Sequence, residues 1–372
     1  MKTLLRSTLS RRSFLGRVSA GAVALAGAPA ILRAQGAKPR KLGVAIVGLG
    51  NYARGQIGPA LKLTENCELT AVVTGSPEKG RKWAQDYGFS EKSVYGYDRI
   101  ADLADNKAVD IVYVITPNSM HADGVIAAAK AGKHVISEKP FTTNVADAVK
   151  AIAACKAAKV KLSIGYRLHF DPIHQEFMRL AKDPSFGPFT KMNGEFSFVM
   201  KNKVWRAERK YAGGGPVMDL GVYVMQEACM AAGGVAPIAI TAKAAETTKP
   251  EIFADVEQTM NFTLEFPGGA VCEAVTSYSQ SANRFRAESA SGNWVEFKTN
   301  AYMYTGVGAV SNRGPLTFPP VNQQAKQMDD FATCIREGRE SRVSGEMGLR
   351  DMKIIEAIYE AARTGKKVAL RA

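Results

Sequence analysis

The sequence predicts an α/β fold: an N-terminal doubly wound half built on a parallel sheet, then an α+β half whose sheet is mostly antiparallel. Two observations carry this. From Lys41 to about residue 165, short apolar runs alternate with helix-like segments, as when strands buried on both faces are joined by crossover helices. After Arg167, strand-like runs dominate and several alternate polar with apolar residues, as a sheet with one buried face requires. The length agrees, since 372 residues exceed one ordinary domain.

Before the first strand stands LSRRSFLGRVSAGAVALAGAPAILRA, Leu9 to Ala34. Arg11 and Arg12 precede a weakly apolar run, Val18 to Leu32, rich in Ala and Gly. At about fifteen residues it is shorter than the ~20 that a spanning helix needs. No other uncharged run is longer, so stable membrane insertion is not expected. Ser10 to Leu15 follows the pattern S-R-R-x-F-L and resembles a twin-arginine export signal. Small residues at Ala28, Ala30 and Ala34 offer cleavage points. Residues 1–34 are therefore expected to be read by the twin-arginine export machinery and to send the chain to the periplasm.

Residues 41–165 read as a dinucleotide-binding Rossmann domain. Val44 to Val47 is a buried strand, followed by Gly48, Gly50 and Ala53 in the spacing G-x-G-x-x-A. The first glycine permits a tight turn, the second lets backbone approach a pyrophosphate, and a small third residue lets the helix pack close to the sheet. The following helix then presents its unpaired N–H groups to the phosphates. The second strand, CELTAVVTG, ends without the carboxylate that usually binds the ribose 2′-hydroxyl of NAD. Thr74 and Ser76 offer hydroxyls there, and Lys79, Arg81 and Lys82 offer positive charge, which suits the 2′-phosphate of NADP. A helix is expected from Pro77 to Tyr87, a strand in VDIVYVITP, a helix ending at Gly132, and a strand in KHVISEKP. The helix NVADAVKAIAACKAAK and the strand KLSIGYR close this half.

Composition excludes several classes. Of the formal net charge of +14, six units lie in residues 1–34, which carry no acid, leaving +8. The remaining basic residues are scattered among acids with no aromatic-interleaved stripe, so no nucleic-acid partner is expected. A moderately basic surface instead suits an anionic ligand. The five cysteines (67, 155, 229, 272 and 334) form no framework and read as buried free thiols. The histidines at 121, 134, 169 and 174 lack metal-ligand spacing, so no metal site is expected.

In the second half, KMNGEFSFVM, AITAKAAE, EQTMNFTLEF, AVCEAVTSYS, ANRFRAESA and NWVEFKT read as strands, with Gly268-Gly269 at a hairpin. Residues 322–365 read as helices that pack back. Residues 166–372 are thus expected to form a substrate and oligomerisation domain. Between strands lies AGGGPVMDLGVYVMQEA, in which Asp219 and Tyr223 share one face if the segment is helical. Trp205 is placed to stack on a ring and Arg206 to pair with a phosphate, with Arg167 adding a polar contact.

The stretches GLGNYARGQI, TPNSMHADGVIAAAKAGKHVISEKP, GYRLHFDP and WRAERKYAGGGPVMDLGVY together resemble the glucose–fructose oxidoreductase family, within the broader Gfo/Idh/MocA group. Glu138-Lys139-Pro140 is a hallmark of that group. The resemblance implies a large open sheet used for subunit contact, hence a homodimer or homotetramer. It implies cofactor contacts from Asn51, Tyr52, Pro117, Asn118, His121, Glu138 and Lys139. It also implies a catalytic trio of Lys139, Asp219 and Tyr223, in which Tyr223 takes a sugar hydroxyl proton beside the Lys139 cation. The arm before the first strand, QGAKPRKL, is shorter than the cofactor-wrapping arm of the family.

Export and a dinucleotide fold on one chain fit together if NADP is bound tightly and never released. One sugar, an aldose, would then be oxidised to its lactone and a second reduced to an alditol. An NAD(P)-dependent glycoside hydrolase of the same fold and an ordinary NADP-dependent sugar or polyol dehydrogenase stand as alternatives.

Overall fold

The structure, a computed structural model, describes residues 39–301 and 303–370. The twin-arginine segment and the first residues of the arm lie outside the described residues. Strand β1 (Leu42–Val47) is buried at every position, as a central parallel strand must be. Helix α1 follows as one π turn, Ala53–Ile57, running into Gly58–Leu61. Then come β2 (Cys67–Val73), α2 (Pro77–Tyr87), β3 (Val94–Tyr95), β4 (Ile111–Val114), α3 (His121–Lys130), β5 (His134–Ser137), α4 (Val145–Ala157) and β6 (Leu162–Ile164). These strands form a parallel sheet in the order β3-β2-β1-β4-β5-β6. The order reverses between β1 and β4, the point where doubly wound sheets open a ligand crevice at their carboxyl ends.

Helix α2 has the bounds that the sequence predicts. The Ser76 side chain accepts from the Lys79 N–H, Pro77 opens the first turn, and Gly88 closes the helix at φ 75°. One helix in the second half was not expected. Asp171 caps α5 (Pro172–Lys182) by accepting from the Ile173 and His174 N–H groups. The Asp171-Pro172 pair is the start signal that the strand-like surroundings obscured.

The second sheet contains β7 (Phe189–Ser197), β8 (Ala239–Ala244), β9 (Thr259–Glu265), β10 (Val271–Ser277), β11 (Ala282–Ser289), β12 (Trp294–Thr299), β13 (Gly308–Ser311), β14 (Gly314–Leu316) and β15 (Val368–Ala369). Its order is β14-β13-β12-β11-β7-β10-β9-β8-β15, and β7–β10 is the parallel pair in an otherwise antiparallel sheet. Gly268 and Gly269, at φ 80° and 84°, turn β9 into β10. The short strands β13, β14 and β15 had no clear pattern in the sequence.

Helix α6 begins as a π turn, Val217–Gly221, and continues as Val222–Ala231 beneath β7. Helices α7 (Gln323–Glu337) and α8 (Gly345–Thr364) end the chain, capped by Asn322 and Ser344 and stopped by Gly338 and Gly365. Helix α7 joins the core of the first half: Met328 and Phe331 pack in one cluster with Val44, Ile46 and Trp83. Helix α8 packs on α4, β6 and β8, touching both sheets. All five cysteines are buried.

Candidate active site

A cavity of about 630 Å³ opens at the carboxyl ends of β1, β2, β4 and β5. One end is the glycine turn. Gly48 has φ 100°, and a Cβ there would lie 2.8 Å from the Ile115 carbonyl oxygen, so the turn requires glycine. A Cβ on Gly50 would meet nothing within 4 Å, so the space beyond it is open. Asn51, Tyr52 and buried Ala53 continue the wall into α1. Thr74, Ser76 and exposed Lys79 line the same end, with Tyr97 beside them. The Thr74 hydroxyl oxygen accepts from the Ser76 N–H at 3.2 Å. Pro117 and Thr116 form the floor after β4, and the Thr116 hydroxyl is buried without a hydrogen-bond partner among the described residues.

These features fit a nicotinamide dinucleotide: a glycine turn into a helix start, open space at Gly50, an orphaned hydroxyl, and a cation beyond β2.

The other end carries charge. Lys139, just after β5, donates from Nζ to the Asp219 carbonyl oxygen at 2.8 Å and lies 3.5 Å from its Oδ1. The same Nζ sits 4.7 Å from the centre of the Tyr223 ring. The π turn at the start of α6 places Asp219 and Tyr223 on the same cavity wall. Asp219 Oδ2 is 3.1 Å from Arg206 Nε and accepts from the Tyr278 hydroxyl at 3.2 Å. Burial alone would raise the Asp219 carboxyl, but Arg206 and Lys139 outweigh it and hold it below the usual range. Burial likewise opposes the Lys139 ammonium, yet Tyr223, Asp219 and Glu138 hold it above the usual lysine range. The Tyr223 ring stacks on Phe196 at 5.7 Å.

Several residues expected at the cofactor have other partners. Arg206 pairs with Asp219, a buried carboxylate that needs its charge, and stacks on Trp205 at 4.5 Å. Trp205 lines the cavity at this charged end. Arg167 is 2% exposed and lies behind the wall, bonded to Gln323, the Ala301 carbonyl and the Tyr223 hydroxyl. Both His121 ring nitrogens face backbone carbonyls, Pro140 at 2.8 Å and Thr116 at 2.9 Å, so His121 braces two loops. Asn118 donates to the Ala212 carbonyl at 2.9 Å. Buried Glu138 accepts from the Tyr113 hydroxyl at 2.8 Å and from the Lys139 N–H at 3.1 Å, and burial pushes its carboxyl up.

The sequence reading missed Phe198, Tyr97 and Tyr304, which also line the cavity. No motif marks them. Tyr278 closes the strand-like run AVCEAVTSYS with no motif to mark it, and its bond to Asp219 depends on the register between β10 and the π turn.

Residues 42–166 match the oxidoreductase family with an NAD-binding Rossmann fold. Residues 174–295 match a GFO/IDH/MocA C-terminal domain, and residues 303–370 match the family's C-terminal alpha/beta domain. The crystal structure of an aldose-aldose oxidoreductase from Caulobacter crescentus, complexed with glycerol, is 41% identical, with a TM-score of 0.85 over 89% of this chain and 100% of that one. A D-xylose 1-dehydrogenase [NADP(+)] of Haloarcula marismortui is 28% identical over 88% of this chain and 92% of its own length. KijD10, a 3-ketoreductase from Actinomadura kijaniata crystallised with NADP and TDP-benzene, is 21% identical with a TM-score of 0.75 over 87% of this chain and 98% of that one, and shares the fold. With three successive matches running from the first strand to the last, this chain belongs to the GFO/IDH/MocA oxidoreductase family.

Proposed function

We propose that the chain is an exported, NADP-dependent sugar oxidoreductase that oxidises an aldose to its lactone and reduces a second sugar to an alditol on a cofactor it does not release. The observation that carries the reading is the convergence of Lys139, Asp219 and Tyr223 on one wall of the cavity that begins at the glycine turn. The aldose-aldose and D-xylose substrates of the two relatives support the sugar class.

When bound, the dinucleotide supplies a two-electron acceptor and donor. The chain does the proton work. Tyr223 Oη takes the proton of the reacting hydroxyl and later returns one to the second sugar. Lys139 holds positive charge beside the ring, and Asp219, itself held by Arg206 and Tyr278, anchors that ammonium. Thr74, Ser76 and Lys79 would hold the 2′-phosphate, which supports NADP over NAD. Phe198, Trp205 and Tyr304 give apolar faces for a sugar ring. The twin-arginine segment supports export of an already folded, loaded protein. We further propose a homodimer or homotetramer assembled through the open face of the larger sheet.

The test is the absorbance of the reduced nicotinamide in protein purified without added nucleotide. An aldose alone is expected to raise it once, to about one equivalent per subunit, and a second sugar to bleach it. With both sugars, lactone and alditol should accumulate in equal amounts. Continuous turnover only with stoichiometric free NADP⁺ would replace this with the second reading, an ordinary NADP-dependent dehydrogenase, which the Haloarcula relative favours.

A further inference from the structure

Six side chains, from Tyr223 on the cavity wall through five behind it, form a circuit that begins and ends on α6. Arg167 Nη2 donates to Tyr223 Oη at 3.3 Å, and its Nη1 donates to Gln323 Oε1. Gln323 Nε2 donates to Asp171 Oδ2 at 3.2 Å. Asp171 Oδ1 bonds His174 Nδ1 at 3.0 Å, and His174 Nε2 bonds Glu227 Oε1 at 2.9 Å. Glu227 lies one helical turn beyond Tyr223. Gln323, His174 and Glu227 are fully buried, and Arg167 and Asp171 are nearly so.

The polarity of the circuit is forced. A guanidinium only donates and a carboxylate only accepts, so the Gln323 amide can point only one way between them. Burial would lower the His174 imidazole, but its bonds to Asp171 and Glu227 hold it above its ordinary range, while burial pushes the Glu227 carboxyl up. Arg167 makes no ion pair among the described residues. Its guanidinium lies 5.2 Å from the centre of the Tyr223 ring and 4.5 Å from that of Tyr304. Because Arg167 donates to Tyr223 Oη, the hydroxyl's own hydrogen cannot point towards it.

We propose that Arg167 is a positioning residue for Tyr223. It occupies the inward side of Oη, so that the hydroxyl exchanges its proton with the cavity alone, and the circuit through Gln323, Asp171, His174 and Glu227 holds the guanidinium there. This rests on the reading that Tyr223 handles the substrate proton.

A double-mutant cycle separates the two claims. With an aldose that reduces the bound nicotinamide in the test above, Arg167→Met is expected to lower kcat roughly 10- to 100-fold, as for loss of a hydrogen bond to a charged group. KM and the affinity for NADPH, read by its fluorescence, should change less than about threefold. In a Tyr223→Phe background the same change should lower kcat less than about threefold, since the bond it removes is already gone. Arg167→Lys should recover part of the loss. If Arg167→Met does not fold, Gln323→Leu, which unties the guanidinium, should show the same non-additivity at smaller size. Additive losses, or a drop in NADPH affinity as large as that in kcat, would overturn the assignment and leave Tyr223 untouched. A near-normal rate for Tyr223→Phe alone would overturn both.

Discussion

At the nucleotide end of the cavity, the wall is largely backbone: the turn at Gly48 and Gly50, the start of α1, and two hydroxyls at the end of β2. Among the described residues that line this end, the one charged side chain, Lys79, is exposed. At the other end the wall is side-chain charge. Lys139 and Arg206 both pair with Asp219, with Tyr278, Tyr223 and Arg167 completing the cluster. The first end presents groups that act singly on a ligand. In the second, each charge is tolerable only because of its neighbours, so losses there should be large and coupled.

The sharpest way to break this contrast is Tyr223→Phe, which keeps the ring on Phe196 and deletes the hydroxyl. Turnover should fall about 10²–10⁴-fold, the usual worth of general acid–base catalysis, while NADPH affinity survives. Steady-state rates with near-normal kcat would reduce Tyr223 to a packing residue. Next in size is Lys79→Ala. Loss of a charged hydrogen bond worth ~1.5–3 kcal/mol should weaken NADPH roughly 10- to 100-fold and leave NADH nearly unchanged. Equal loss for both in a fluorescence titration would move Lys79 away from the 2′-phosphate.

The smallest effect tests the coupling through pH. The Asp219 carboxyl is depressed in the folded chain, so it contributes stability above the unfolded value of about 3.9, and that contribution is lost as pH falls through the folded value. The difference in urea midpoint between the wild type and Asp219→Asn should therefore shrink between pH 6 and pH 3. A constant difference would show that Asp219 stabilises by shape alone.

The same contrast explains what the sequence made legible. The parallel half could be read from Val44–Val47, Gly48 and the Ser76-Pro77 helix start, because burial, turn and cap are local demands that each leave a local mark. Asp219 and Tyr223 were found as a pair because helical spacing is also local. Their partners are not local. Arg206 reaches Asp219 from a separate turn and Tyr278 from just past β10, while Arg167 reaches Tyr223 from beyond β6. Such contacts depend on how the two sheets meet, which no spacing encodes. Arg206 was accordingly read toward a phosphate and Arg167 only as a polar contact, and neither the buried carboxylate beside the first nor the tyrosine beside the second could be foreseen.

The placement of α7 and α8 bears on how this protein can be recombined with its relatives. Residues 42–166 contain the whole parallel sheet, yet part of their core is filled by Met328 and Phe331 from α7, far downstream in the chain. Met328 and Phe331 are buried there, at 0% and 1% exposure. A chimaera that grafts 42–166 alone onto a foreign partner would inherit an apolar trough with nothing to fill it. One that carries 323–337 along would bring its own filling. The unit of exchange in this architecture is therefore a discontinuous pair of segments, and a swap drawn at a single crossover cuts through it.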